Sequence, residues 1–176
     1  MKSWPEHVVT MPKKGTPLEK AARAYAGILQ DVLGDDLVSV VLFGSVTRGD
    51  AKVDSDVDLV VIARNLPKSQ LARADIAIKA ETELARLMRR TGTRRQRVMI
   101  AAILRTPEEA SHPIPLYLDM VDEAIILFDR DRFFTNVLSK LRKKLQSLGA
   151  RRAVVGNIRY WDLKPDYKPG DVIEFG

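Results

Sequence analysis

Gly44-Ser45-Val46-Thr47-Arg48-Gly49-Asp50-Ala51-Lys52-Val53-Asp54-Ser55-Asp56-Val57-Asp58-Leu59 is the stretch on which the reading of this chain turns. It follows Leu37 to Phe43 (LVSVVLF), a short, β-branched apolar run ended by glycine, which reads as a buried strand. A glycine–serine pair directly after such a strand lets the backbone turn tightly. It leaves amide N–H groups and one hydroxyl pointing outward at a helix start, where phosphate binds well. After the spacer 46 to 55, Asp56 and Asp58 open a second strand, Asp56 to Ala63 (DVDLVVIA). Strand alternation puts both carboxylates on one face and Val57 and Leu59 on the other.

Two hard oxygen ligands beside a phosphate cradle are what magnesium-assisted phosphoryl chemistry requires. Magnesium takes one or two protein carboxylates and lets substrate phosphates and water complete its shell; manganese is the alternative ion. Two like charges held this close are costly without a cation between them. A calcium loop starting at Asp54 fails, because Leu59 stands where its glycine belongs and Asn65 where its glutamate belongs. A P-loop fails for want of a glycine-lysine-serine/threonine run. The plainest rival is a solvated acidic turn. For Arg48 the choice is between a triphosphate and the nearby Asp50, and Ser55 reads as a turn residue.

The stretch resembles the signature of the nucleotidyltransferase superfamily typified by DNA polymerase β, most closely its small prokaryotic and archaeal branch, the minimal nucleotidyltransferases. The likeness is tight over residues 44 to 59 and, by order of elements, extends over 18 to 128. It implies an α/β fold with a small mixed sheet, in which Gly44 and Ser45 hold the phosphates of a nucleoside triphosphate such as ATP; Arg48 stays a candidate phosphate ligand beside them. Asp56 and Asp58 would be the catalytic carboxylates that bind magnesium. The implied reaction is attack by an acceptor hydroxyl on the α-phosphate with release of pyrophosphate. Relatives in this branch also serve as the antitoxin partner of a separate helical toxin, so a helical protein partner is permitted.

One departure from the pattern bears on turnover. The family supplies a third carboxylate from a later strand, and the strand in that place, Val98 to Leu104 (VMIAAIL), carries no acid. Asp119 and Asp122 fall on a short helix, and Glu108 and Glu109 at a helix start. The alternative function is therefore a catalytically deficient nucleotide- or RNA-binding protein that kept the cradle.

Outward from the motif, apolar spacing predicts a helix from Leu18 to Leu33, opened by Pro17 and stopped by Gly34, and another from Lys68 to Arg90. Thr106-Pro107-Glu108-Glu109 has the form of a capped helix start. A short helix is expected over Leu116 to Glu123, a fourth strand over Ala124 to Phe128, and a last long helix over Asp131 to Leu148. The expected organisation is an irregular arm over 1–16, a nucleotidyltransferase domain over 17–130, and a C-terminal helix and aromatic arm over 131–176 packed on it.

Composition is consistent with this. The chain has 176 residues, 45% apolar and 30% charged, enough to bury roughly 70% of its unfolded surface in one core. With no cysteine, disulfides, thiol nucleophiles and cysteine-ligated metals are excluded, and two histidines make a histidine metal site implausible. His112 reads as a loop residue. No apolar run has the length of a signal core or a membrane span, so a cytoplasmic location is expected. The net charge of +6 leans towards anionic partners. Six arginines between Arg86 and Arg97, and the cluster Lys140, Arg142, Lys143, Lys144, Arg151 and Arg152, are either solvated faces or contacts to RNA. The acceptor could thus be RNA or protein. Tyr160, Trp161 and Tyr167 read as aromatics that seal the tail onto the core.

Overall fold

The computed structural model describes residues 15–91, 98–156 and 158–168. The expected arm over 1–16, apart from its last two residues, and the arginine run beyond Arg90 lie outside the described residues. Helix α1 (Pro17–Leu33) is opened by Thr16, whose Oγ1 accepts the Glu19 N–H at 3.1 Å, with proline at its first turn. Such a cap contributes about 1 kcal/mol. Strand β1 (Leu37–Phe43) follows, then the four-residue helix α2 (Ser45–Arg48), strand β2 (Val57–Ala63) and helix α3 (Gln70–Arg90). Beyond these come β3 (Ile100–Arg105), α4 (Pro107–Ser111), α5 (Pro115–Glu123), β4 (Ile125–Asp129), α6 (Phe133–Ser147) and a hairpin of β5 (Arg151–Val155) and β6 (Ile158–Asp162).

Four strands form a mixed sheet in the order β3-β2-β1-β4. β1 runs antiparallel to both β2 and β4, while β2 and β3 are parallel, joined across the sheet by α3. The two central strands are buried on both faces, which is why they read as unbroken apolar runs rather than alternating ones. On one face, Val40, Leu42, Leu59 and Val61 pack with Tyr25 and Leu29 of α1 and Leu84 of α3. On the other, Val41, Val60 and Ile62 pack with Tyr117 and Met120 of α5 and with Phe134, Leu141 and Leu145 of α6. Each such side chain, fully withdrawn from water, contributes about 1.5–3 kcal/mol before entropy is charged against it.

Two sequence expectations shift. The last helix begins at Phe133 and not at Asp131, because Asp131 and Arg132 take left-handed backbone angles (φ 53° and 56°). Asp129 accepts the Phe134 and Thr135 N–H groups at 2.9 and 3.0 Å, closing the helix start from the strand side. The described part of the tail is a hairpin, and of Tyr160, Trp161 and Tyr167 one seals it: Trp161 packs on the second core, whereas Tyr160 and Tyr167 are exposed. Helix α4 is capped as its sequence suggests, with Thr106 and Glu109 each bonding the other's backbone N–H.

Candidate active site

The turn after β1 is built by two glycines. Gly44 has φ 78° and Gly49, which ends α2, has φ 78° in the left-handed region. Between them the Gly44 carbonyl accepts the Arg48 N–H at 3.3 Å and the Thr47 hydroxyl at 2.9 Å. The Asp50 N–H returns to the Ser45 carbonyl at 3.0 Å. Ser45 is thereby the first residue of a helical turn, with its N–H at the open end. Ser55 acts as the turn residue expected of it, its Oγ accepting the Lys52 N–H at 2.8 Å.

The register of β1 on β2 sets Phe43 opposite Asp58. Gly44 comes next, and a Cβ placed on it would lie 2.2 Å from Asp58 Oδ2. The carboxylate therefore rests against the bare Cα of the turn. Asp56 sits exposed just ahead of β2, and Asp58 is half-buried. Burial chiefly, then the Asp56 charge, raises the Asp58 carboxyl above its usual range, against the lowering pull of Arg48. The neighbouring Asp56 charge thus adds to a shift that burial mainly sets.

The third acid is missing where β3 passes the pair. Asp58 is aligned with Ala101 in the parallel β2–β3 ladder, and the Val57 N–H bonds the Met99 carbonyl at 2.9 Å. Neighbouring strands lie about 4.8 Å apart, so Met99 and Ala101 stand beside Asp56 and Asp58 on the edge of the sheet. Both are exposed and neither is acidic. Asp119 and Asp122 lie on α5, and Glu108 and Glu109 on α4, as the sequence suggests. His112 is exposed in a loop, its Nδ1 paired with the Glu108 carbonyl at 2.8 Å.

A charged flank adjoins the turn on its other side. Because β4 pairs with β1 so that Ile125 faces Leu42, Glu123 at the end of α5 arrives beside the exit of β1. Arg48 lies 3.4 Å from Asp50 and 3.8 Å from Glu123. Arg152 of β5 also pairs with Glu123, and it approaches Asp122 at 3.8 Å and Asp119 at 3.9 Å. Its guanidinium sits 5.2 Å from the centre of the Trp161 ring, and Trp161 Nε1 donates to Asp119 Oδ1 at 3.2 Å. The result is a cleft of about 580 Å³ with Arg48, Glu123, Arg152 and Tyr160 on its walls. Sequence reasoning missed Glu123 and the place of Arg152. The available signal was that Glu123 immediately precedes the strand that pairs beside the turn.

Residues 23–93 match the model of the nucleotidyltransferase domain. A Methanocaldococcus jannaschii protein, provisionally named a protein adenylyltransferase, is 37% identical over 111 residues, which cover 62% of this chain and 70% of that one. This chain belongs to the nucleotidyltransferase family. Among solved structures, a chain of a toxin–antitoxin structure with AMP-PNP aligns at a TM-score of 0.45 and 18% identity, over 72% of this chain and 92% of that one. A chain from the complex of tri-AMPylated Shewanella oneidensis HEPN toxin with MNT antitoxin aligns at 0.42 and 17%, over 75% and 92%. At that level of likeness neither says what this nucleotidyltransferase-family chain binds.

The donor set of this nucleotidyltransferase can be tested against a divalent cation. Among the described residues no three His, Asp or Glu side chains converge as a self-sufficient metal cage. What is present is a pair of carboxylates whose mutual repulsion a cation would relieve, next to a turn with open N–H groups. That set fits an ion held partly by the protein and partly by substrate oxygens, and does not fit a structural ion. No described helix is long and apolar enough to cross a membrane.

Proposed function

We propose that this chain transfers a nucleoside monophosphate from a nucleoside triphosphate to an acceptor hydroxyl, releasing pyrophosphate. The observation that carries the reading is the contact between Gly44 and Asp58, which joins a tight glycine turn to a carboxylate pair with no space between them. The name of the Methanocaldococcus jannaschii relative favours ATP as donor and a protein hydroxyl as acceptor.

In this reading the backbone N–H and hydroxyl of Ser45, at the open end of α2, take the outer phosphates, and the bare Cα of Gly44 lets them approach. Arg48 exchanges Asp50 and Glu123 for a phosphate oxygen, neutralising part of the triphosphate charge. Asp56 and Asp58 would hold magnesium, or manganese, which supplies charge neutralisation at the phosphates. Asp56 and Asp58 would place that ion at the start of β2, where it would offset the charge of the α-phosphate. The acceptor oxygen bonds the α-phosphorus as the bond to the pyrophosphate oxygen breaks. The acceptor proton goes to solvent, since Met99 and Ala101 offer no base.

That last feature favours a second reading, a nucleotide-binding protein with little or no turnover. One experiment separates the two. Each α-labelled nucleoside triphosphate is incubated with the protein, magnesium or manganese, and protein extract or cell RNA, beside the Asp56→Asn/Asp58→Asn variant. Label moved by the wild type alone supports transfer and reveals the acceptor class. Metal-dependent nucleotide binding without transfer supports the second reading, and the absence of both transfer and binding would remove the site assignment.

A further inference from the structure

At the far end of the sheet from the carboxylates lies a second concave site. It is a cavity of about 650 Å³ beside the start of β1, within the range of roughly 300–1,000 Å³ typical of small-molecule sites. Val38 lines it, five residues along β1 from Phe43, so the two sites are separated by about 16 Å of strand. Its floor is apolar, with Phe133, Val137 and Leu141 of α6. Its rim carries Arg64, Arg130, Lys140 and Lys144 against one lining acid, Asp131.

These cations are placed to receive something. Lys140 and Lys144 are one turn apart on α6 and both exposed. Among the described residues neither they nor Arg64 form an ion pair, and α6 itself carries no acid that could neutralise them. Arg130 is oriented from behind: its Nε donates to the Leu37 carbonyl at 3.1 Å and its guanidinium lies 6.0 Å from the Phe128 ring centre. Its one acidic contact is Asp35 at 3.6 Å, a side chain fully in solvent. Asp131, which lines the cavity, and the next residue, Arg132, both lie in the left-handed region. Such strain persists where the surroundings impose it, and it gathers at ligand sites. The α6 amides are not the binding group, because Asp129 already takes two of them.

We infer that this cavity binds a nucleotide through its phosphate, with the base on the Phe133 floor and the phosphate among Arg130, Lys140 and Lys144. Several cations around one mouth demand a multiply charged anion, and an apolar aromatic floor demands a flat partner attached to it; a nucleotide carries both. The nucleotide can be free or part of an RNA strand. No metal is required, in contrast to the carboxylate site, and the inference stands independently of the catalytic reading.

The test is metal-free binding by the full chain in EDTA, with radiolabelled ATP in one arm and a fluorescent single-stranded RNA oligomer in the other. Lys140→Gln/Lys144→Gln, both solvent-exposed changes, is compared with wild type and with Asp56→Asn/Asp58→Asn, after thermal melting confirms that each is folded. Binding should persist in the aspartate variant, fall about tenfold or more in the lysine variant, and weaken steeply with salt. Binding of ATP identifies a free nucleotide as sufficient, and binding of RNA alone identifies the strand. Absence of metal-free binding in both arms, or binding indifferent to the two lysines, overturns the inference.

Discussion

Gly44 and Asp58 occupy the same space in the sense that only one of them can have a side chain there. A methyl group on Gly44 would stand 2.2 Å from Asp58 Oδ2, and Gly44 also has φ 78°, which disfavours any L side chain. The two constraints are independent, one from the backbone and one from the neighbouring strand. Gly44→Ala should therefore cost about 2–4 kcal/mol of stability, from left-handed strain plus displacement of the carboxylate. Transfer should fall at least about a hundredfold, because the displaced group is a proposed ligand. Denaturant melts and label transfer on the same preparation check both; a variant of full activity would separate Gly44 from the site.

The repulsion between Asp56 and Asp58 has its own signature without metal. Because the Asp58 carboxyl is raised by burial and by Asp56, its contribution to stability is fully present below the ordinary carboxylate range and is lost as pH rises through the folded-state value. Asp58→Asn should thus melt slightly higher than wild type at pH 7 in EDTA, by less than about 1 kcal/mol given partial exposure. The two proteins should converge at acid pH. Adding magnesium with a nucleoside triphosphate should reverse the order, stabilising wild type alone. A variant that melts lower than wild type in EDTA counts against the repulsion.

The motif was legible because its constraints are local: a glycine for the turn, and acids two apart on a strand. Elements with strong period or capping signals, such as α1 and α4, were legible for the same reason. What lay hidden depends on pairing between distant segments. Glu123 meets Arg48 only because β4 chooses the β1 edge, and Arg152 reaches Glu123 only because the tail folds back as a hairpin. Asp131 and Arg132 have residue types that give no notice of left-handed angles. The acid-free third strand was readable as composition, but its position against the pair needed the β2–β3 register.

Arg73 and Glu109 tie α3 to α4 through two hydrogen bonds of 2.7 and 2.8 Å. Arg73 is buried and also donates to the Pro67 and Leu104 carbonyls. The Arg73 hydrogen bonds hold the Glu109 carboxyl down to about 2. A depressed carboxylate stabilises the fold above its unfolded value, near 4.3, and loses that contribution as pH falls towards 2. Glu109 is more than a third exposed, so screening limits the contribution to about 1–2 kcal/mol. Glu109→Gln should show that deficit at pH 7 and none near pH 2. A deficit that stays constant across the range would assign the effect to packing or to the α4 cap.

Tyr117 stacks edge-on against Phe134, with ring centres 5.1 Å apart, while its buried hydroxyl has no hydrogen-bond partner among the described residues. An unsatisfied buried hydroxyl costs about 1–3 kcal/mol, and phenylalanine keeps the ring contact. Tyr117→Phe should leave stability unchanged or raise it by about 1 kcal/mol in a denaturant melt. A loss larger than that would reveal a partner for the hydroxyl.

Ala101 offers the sharpest test of why β3 matters. It is exposed, lies on an edge strand, and is the ladder partner of Asp58, so an acid there would share a face with the pair at about the spacing of neighbouring strands. Strand position and exposure hold the stability cost of Ala101→Asp to about 1 kcal/mol. If transfer is limited by the lack of a third carboxylate, the variant should bind magnesium more tightly and transfer label about tenfold faster or more, with the gain abolished by adding Asp58→Asn. The rise should follow the ionisation of the new acid with pH. An unchanged rate with tighter metal binding would place the limit at a step other than activation of the acceptor hydroxyl. An unchanged rate and unchanged metal affinity would mean that Asp56 and Asp58 do not hold the ion, and the proposed site would fall with them.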